Sequence, residues 1–386
     1  SWNRDLFPDP KGFLNELHTM NLKTSLNLHP ASGIVQREDQ YEDFVADYLS
    51  RTDDYDGPEG YIYKGGELIA EATSTPARGN RPAQSTPARY ATAGYHAPVA
   101  FRMDQVAWAD AYFNSVLGPL EKQGVDFWWL DWQQFKESKY VPGLSNTFWL
   151  NHTFFNDQVR KNRGNAPEDS QRPLIYHRWG GLGSHRYQLG FSGDTNIKWE
   201  VLSYLPYFTS TAANVGYGYW GHDLGGHMQQ GEIPTDPELY TRWLQYGVFS
   251  PLFKTHSTSS SILERRFWAF PDHFQYMRDA LELRYSLSPY IYDAARQAYD
   301  TGVSLCRPMY YYYPETENAY SYKEQYFFGD NILAATICTP LDPATGKSER
   351  KVWLPAGNNW YDMAHHETVK GGVEKTFYYT IDQNAW

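Results

Sequence analysis

From about residue 103 to 299 the chain alternates segments of helical period with short apolar runs of strand length, and this limits the fold more than any other feature. Met103–Gln123 places Val106, Ala107, Ala111, Tyr112, Val116 and Leu120 on one side of a helix. The same period predicts helices around Thr147–Arg163, Ile197–Thr211, Pro237–Tyr246 and His273–Tyr299. Between them, Val125–Asp131, Pro173–Tyr176, Leu189–Ser192, Val215–Trp220 and Phe249–Lys254 read as strands, and a helix near Phe13–Met20 precedes a further strand ending at Pro30. Strands separated by helices of this length pair in parallel, and so many units in succession favour an α/β fold of the (β/α)8 TIM type over an open doubly wound sheet, with about six of its eight strands present.

Two stretches break the alternation. Residues 32–97 lose it, and Ser74-Thr75-Pro76-Ala77-Arg78 recurs as Ser85 to Arg89. Two copies of five residues do not make a solenoid, so this stretch reads as an insertion or long functional loop. After Gly302 the helical period disappears, and Met309–Tyr313, Tyr326–Phe328, Ile332–Ile337, Lys351–Leu354 and Thr376–Ile381 read as strands of a small antiparallel β domain. The predicted organisation is a barrel over 1–301, with an insertion at about 32–97, and a small antiparallel β domain over 302–386.

A net charge of -11 with no run of Lys and Arg argues against a nucleic-acid partner, because such binding rests on clustered cations at phosphates. No apolar run is long enough to cross a membrane, and no signal peptide is visible at Ser1. Cys306 and Cys338 are too few for a disulfide framework and too far apart for a CxxC redox pair. They do not decide the compartment, for which a periplasmic or extracellular setting is favoured over the cytoplasm.

In a parallel barrel the carboxyl ends of the strands build the site. The polar residues there are His29, Asp131 with Trp132, His177 with Arg178, Asp194, His222 with Asp223, and Lys254 with His256. Asp131 and Asp194 each close a strand and would share a mouth, the paired-carboxylate arrangement that splits a glycosidic bond. The stretch Phe127-Trp128-Trp129-Leu130-Asp131-Trp132-Gln133-Gln134 surrounds one of these acids with aromatic and amide groups. Indole and phenol rings stack on the apolar faces of sugars, and aromatic residues are 17% of this chain, part of which must be core. His222 and His227 flank Asp223, but their spacing across Gly225-Gly226 is not that of HExxH or a facial triad, so no metal is expected. Gly180-Gly181-Leu182-Gly183 lacks the pattern of a phosphate cradle and reads as a tight turn.

Four ordered motifs carry a resemblance. They are Phe127 to Gln134, His177-Arg178-Trp179 through Gly190-Phe191-Ser192-Gly193-Asp194-Thr195, Tyr219-Trp220-Gly221-His222-Asp223-Leu224-Gly225-Gly226, and Phe249-Ser250-Pro251-Leu252-Phe253-Lys254-Thr255-His256. Together they resemble glycoside hydrolase family 31, the retaining α-glucosidase and α-xylosidase group. The resemblance implies a cofactor-free, exo-acting enzyme that releases terminal α-linked glucose from oligosaccharides through a covalent glycosyl-enzyme. It implies Asp131 as nucleophile and Asp194 as general acid/base, with Trp129, Trp132, Arg178, Phe191, Asp223 and His256 lining the sugar pocket. Transglucosylase, α-xylosidase and α-galactosidase chemistry, or sugar binding without catalysis, are the alternatives on the same scaffold.

Departures from the family pattern bear on the sugar. Better-known members carry Met-Asn-Glu where this chain has Trp132-Gln133-Gln134, a Trp at Phe191, and often an aspartate at His29. Members also carry an N-terminal β-sandwich and two barrel strands for which no counterpart is read here. The expected partners are therefore an oligosaccharide substrate and an N-terminal part of the same protein, without which the barrel would expose two unpaired edges.

Overall fold

In the computed structural model the described residues are 1–35, 37–52, 62–64, 67–69, 99, 101–131, 137–138, 141–163, 165–166, 170–178, 182–229, 231 and 233–386. They form two compact units, Ser1–Gly180 and Gly181–Trp386.

The first unit is built on parallel strands. β1 (Ser25–Leu28) pairs with β4 (Phe127–Leu130), which pairs with β5 (Ile175–His177), so that Asn27 lies opposite Trp129 and Trp129 opposite Tyr176. β4 alternates: Trp128 and Leu130 are buried, while Phe127 and Trp129 on the other face are partly exposed. The remaining pair, β2 (Ile62–Lys64) and β3 (Glu67–Ile69), forms an antiparallel hairpin in the predicted insertion. Within that insertion the helix Tyr41–Arg51 was not foreseen, and the repeated pentapeptide lies outside the described residues.

The expected helix over Met103–Gln123 is broken into Val106–Ala111, a π-helical stretch Tyr112–Leu117, and Gly118–Gln123. Pro119 supplies the reason. Its ring lacks an N–H and crowds the carbonyl four residues back, and the Gly118 N–H bonds to Phe113 O in the wider i+5 pattern. Aromatic residues close the core, with Trp108 stacked on Tyr112 at 4.9 Å and Phe113 edge-on to Phe154 at 5.0 Å. Asn146–Lys161 forms the helix between β4 and β5, capped by Ser145 Oγ, which accepts from the Phe148 N–H.

The second unit carries the parallel pair β6 (Leu189–Phe191) and β7 (Trp220–Gly221), joined by the helix Trp199–Thr211. β7 is shorter than predicted because Ala212–Val215 is a 3-10 turn ending in Gly216 at φ 72°. Phe249–Lys254, predicted as a strand, is not one: only isolated parallel bridges join Gly221 to Leu252 and Leu224 to Thr255. Pro251 cannot donate to a ladder, and Ser250 Oγ donates locally to the carbonyls of Gly247 and Leu252. Next, Phe274–Ser286 and Ser288–Thr301 replace one predicted helix, because Pro289 can stand in the first turn of a helix but not inside one.

The helix Pro237–Val248 is buried along its length, and packs in a cluster with Leu202, Leu205, Leu224 and Met277. Its Arg242 is the anchor of the β segments: the guanidinium donates to the carbonyls of Gln383 and Thr380, to Ser348 Oγ and to Gln245 Oε1. Antiparallel pairing follows as predicted in kind. β9 (Gln325–Phe328) lies between β8 (Cys306–Arg307) and β10 (Ile332–Ala335), β11 (Ser348–Leu354) pairs with β14 (Val373–Tyr379), and β12 (Asn359–Asp362) with β13 (Glu367–Lys370). Met309–Tyr313, expected as a strand, contains instead a 3-10 turn at Met309–Tyr311 following Pro308. Cys306 and Cys338 are both free. Among the described residues no helix is long and apolar enough to cross a membrane.

Candidate active site

The ladder of the first unit extends one residue past β4, with the Asp131 N–H donating to Leu28 O and the Arg178 N–H to Leu130 O. The two side chains therefore leave neighbouring strand ends together. Arg178 Nη1 donates to Asp131 Oδ1 at 3.1 Å, and Asn27 Nδ2 to Oδ2 at 3.0 Å. His29 Nε2 lies 3.4 Å from the same Oδ2. The Asp131 side chain retains only 13% of its exposure and Arg178 only 11%, so their attraction is less screened than at an open surface. One cation and an amide donor thus hold both oxygens of Asp131 in one orientation.

Trp129 stands on the same face of β1 and β4 as Asn27, with its ring 5.4 Å from that of Tyr176. His177, named with Arg178 as a strand-end candidate, is not on this face. It is buried, and its Nδ1 lies 3.2 Å from Asn151 Nδ2. Trp132, Gln133 and Gln134, and likewise Trp179, Gly180 and Gly181, lie outside the described residues.

In the second unit Phe191 ends β6 and is buried, with Lys254 Nζ 4.1 Å from its ring centroid. The same ammonium donates to Asp223 Oδ1 at 2.7 Å. Asp223 is fully buried, which alone would push its carboxyl up, but His227, Lys254 and His256 outweigh burial and hold it below the usual range. Asp194, two residues beyond Ser192, has 30% of its side chain exposed, with Oδ1 3.5 Å from His227 Nε2. His227 and His256 face each other with ring centroids 4.9 Å apart.

His222 is separate from this group although it precedes Asp223. It is buried, with Nδ1 2.7 Å from Ser192 Oγ and Nε2 2.7 Å from Thr209 Oγ1, which is in turn 2.6 Å from Tyr246 OH. Burial drives its pKa down to about 3, with the charge of Asp223 opposing only in part. The imidazole is neutral across the physiological range and ties Ser192 to the helix Trp199–Thr211.

Donor atoms of Asp223, His227 and His256 lie within 4.8 Å of one another, a spacing that a metal ion can use. The donor chemistry fits poorly, since the Lys254 ammonium already occupies Asp223 Oδ1 and places a positive charge beside any cation. The same groups suit sugar hydroxyls, which donate to carboxylate and accept from ammonium and imidazole.

Residues 1–294 match the model of the glycosyl hydrolases family 31 TIM-barrel domain, and residues 302–385 match that of the family's C-terminal domain. The chain belongs to glycosyl hydrolase family 31. Its fold is accordingly the family's TIM barrel followed by a β domain. Curated relatives of this family 31 chain include "Alpha-glucosidase 2" of Bacillus thermoamyloliquefaciens, 31% identical over 53% of this chain and 25% of the relative. Another is "Alpha-xylosidase" of Saccharolobus solfataricus, 30% identical over 55% of this chain and 28% of that protein. Of the solved structures, a Flavobacterium johnsoniae dextranase mutant complexed with isomaltotriose matches with a TM-score of 0.72 at 21% identity, over 98% of this chain and 44% of that one. The matched stretch spans about a quarter of the length of these curated relatives.

Two contributors escaped the sequence reading. Asn27 sits inside a strand, where only the register against β4 shows that it reaches Asp131. His227 was weighed only as a metal ligand, whereas the pair of glycines before it was the signal that its loop turns sharply.

Proposed function

We propose that this family 31 chain is the catalytic portion of a retaining, exo-acting α-glycosidase that releases terminal α-linked glucose from oligosaccharides. The observation that carries the reading is Asp131, held at a strand end by Arg178 and Asn27 in a chain matching the family's barrel model over residues 1–294. In this reading Asp131 attacks the anomeric carbon and forms a glycosyl-enzyme, while Asp194 protonates the leaving oxygen and then deprotonates the water that resolves the intermediate. Trp129, Trp132, Arg178, Phe191, Asp223 and His256 bind the sugar.

The curated relatives support an α-glycosidic substrate, since they include proteins named α-glucosidase, α-xylosidase and 1,6-α-glucosyltransferase. No cofactor enters the scheme. The barrel is taken to span 1–301 and the β domain 302–386. A periplasmic or extracellular setting is kept with this reading.

The test is a panel of aryl glycosides and α-linked disaccharides given to the intact protein, with the first product anomer followed by proton NMR. Release of α-glucose supports the proposal. Release of the β-anomer, or turnover confined to α-xylosides or to transfer products, overturns the corresponding part.

A further inference from the structure

The loop Asp223–His227 is folded so that one imidazole lies between two carboxylates. Gly225 and Gly226 adopt φ of 93° and 76°, and a Cβ on Gly226 would meet Ile197 Cγ1 at 2.8 Å and Asn196 O at 3.2 Å. Glycine therefore permits both the turn and the close approach to the segment after Asp194. That approach is sealed by the backbone: the N–H groups of His227 and Met228 both donate to Thr195 O, at 2.9 and 3.0 Å, and Ile197 N–H donates to Met228 O at 3.0 Å. On the other side Thr258 N–H donates to His227 O at 2.9 Å. His227 is thus fixed against the residue next to Asp194 and against the segment that carries His256.

Its side chain, 16% exposed, uses this placement. Nε2 lies 3.5 Å from Asp194 Oδ1 and Nδ1 3.5 Å from Asp223 Oδ2, while Asp223 Oδ1 is engaged by Lys254. The buried Asp223 carboxylate stands behind the ring at ion-pair distance, longer than a hydrogen bond, and the backbone bonds above hold the ring between the two acids. Contact at Oδ1 places the ring against one side of the Asp194 carboxyl.

We propose that His227 is a positioning residue for proton transfer by Asp194, holding that carboxyl through the chain Asp223–His227–Asp194. The proposal rests on the reading of Asp194 as the acid/base. It distinguishes His227 from the sugar-binding groups: its loss affects the transfer of the proton to the leaving oxygen more than it affects binding. Substrates whose leaving groups need protonation should depend on it, and substrates with stable anionic leaving groups should depend on it less.

The experiment compares His227→Phe, which keeps a ring to face His256, with His227→Gln, which keeps hydrogen-bonding groups, in the intact protein. Each is assayed on an α-linked disaccharide and on α-glucosyl fluoride, with Asp194→Ala measured alongside. The expected result is a fall in kcat for His227→Phe that is at least about 10-fold larger on the disaccharide than on the fluoride, within the range that general acid catalysis supplies, and partly restored in His227→Gln. Equal losses on both substrates, or a change confined to KM, overturn the proposal. If Asp194→Ala itself shows no such selectivity, the acid/base reading falls first. If Asp194→Ala shows it and His227→Phe does not, only the role of His227 falls.

Discussion

The two aspartates on which the proposed chemistry rests stand in contrasting surroundings. Asp131 has a guanidinium at 3.1 Å, an amide donor at 3.0 Å and only 13% of its side chain exposed. Asp194 has 30% exposed and an imidazole at 3.5 Å, much as Asp131 has that of His29 at 3.4 Å, so the difference lies in the guanidinium and in exposure. A carboxylate gripped on both oxygens by a cation and a neutral donor is held in one orientation, which suits attack at carbon. A more exposed carboxyl leaves room for a leaving oxygen and then a water to exchange a proton with it, which suits proton transfer in both directions. The contrast in charged partner and exposure supports the proposed division of roles.

The largest effect expected of this contrast is at Asp131. Asp131→Ala should cost on the order of 10⁴-fold or more in kcat on every substrate, because the covalent step has no substitute. Added azide should then give a β-glycosyl azide, of inverted configuration, since it attacks from the side Asp131 vacates. Asp194→Ala should cost about 10²- to 10⁴-fold on disaccharides and much less on α-glucosyl fluoride. Azide rescue in that variant should give the α-azide, since it attacks the glycosyl-enzyme. Exchanged azide stereochemistry between the variants would exchange the two roles.

Two smaller effects probe the buried groups of the second unit. Lys254→Met should destabilise the fold by roughly 3 kcal/mol, read by denaturant unfolding, because fully buried Asp223 loses the ammonium that offsets its desolvation. His222 predicts a pH effect. Its folded pKa, about 3, lies below the ordinary value of 6.5, so its contribution to stability is complete above pH 6.5 and is lost as pH falls toward 3. The slope should reach about 1.4 kcal/mol per pH unit in that window, and His222→Gln should remove it. An unchanged slope would contradict the buried, neutral ring.

The alternation of strand and helix made the barrel legible, and strand ends pointed to Asp131, Arg178, Asp194 and Asp223 because those positions carry chemistry in such folds. The pattern failed where proline overrode it. Phe249–Lys254 has the composition of a buried strand, but Pro251 removes a ladder donor and leaves isolated bridges, and Pro119 and Pro289 interrupt two predicted helices. Histidines were the least legible residues in the site. His177 and His222 stood at strand ends yet are buried in structural hydrogen bonds, whereas His227, off any strand end, reaches Asp194 through a turn that depends on two glycines. Periodicity reports which face a residue occupies in a regular element and is silent about side chains that tertiary turns bring together.

The central claim, that Asp131 forms the covalent glycosyl-enzyme, is tested most directly by trapping it. The intact protein is incubated with a 5-fluoro-α-glucosyl fluoride, whose slow second step lets the intermediate accumulate, and the labelled peptide is located by mass spectrometry. The account predicts one added fluoroglucosyl group on Asp131, absent in Asp131→Ala and present in Asp194→Ala. A label on another carboxylate, or turnover of the fluoride to β-anomeric product with no label formed, would contradict it.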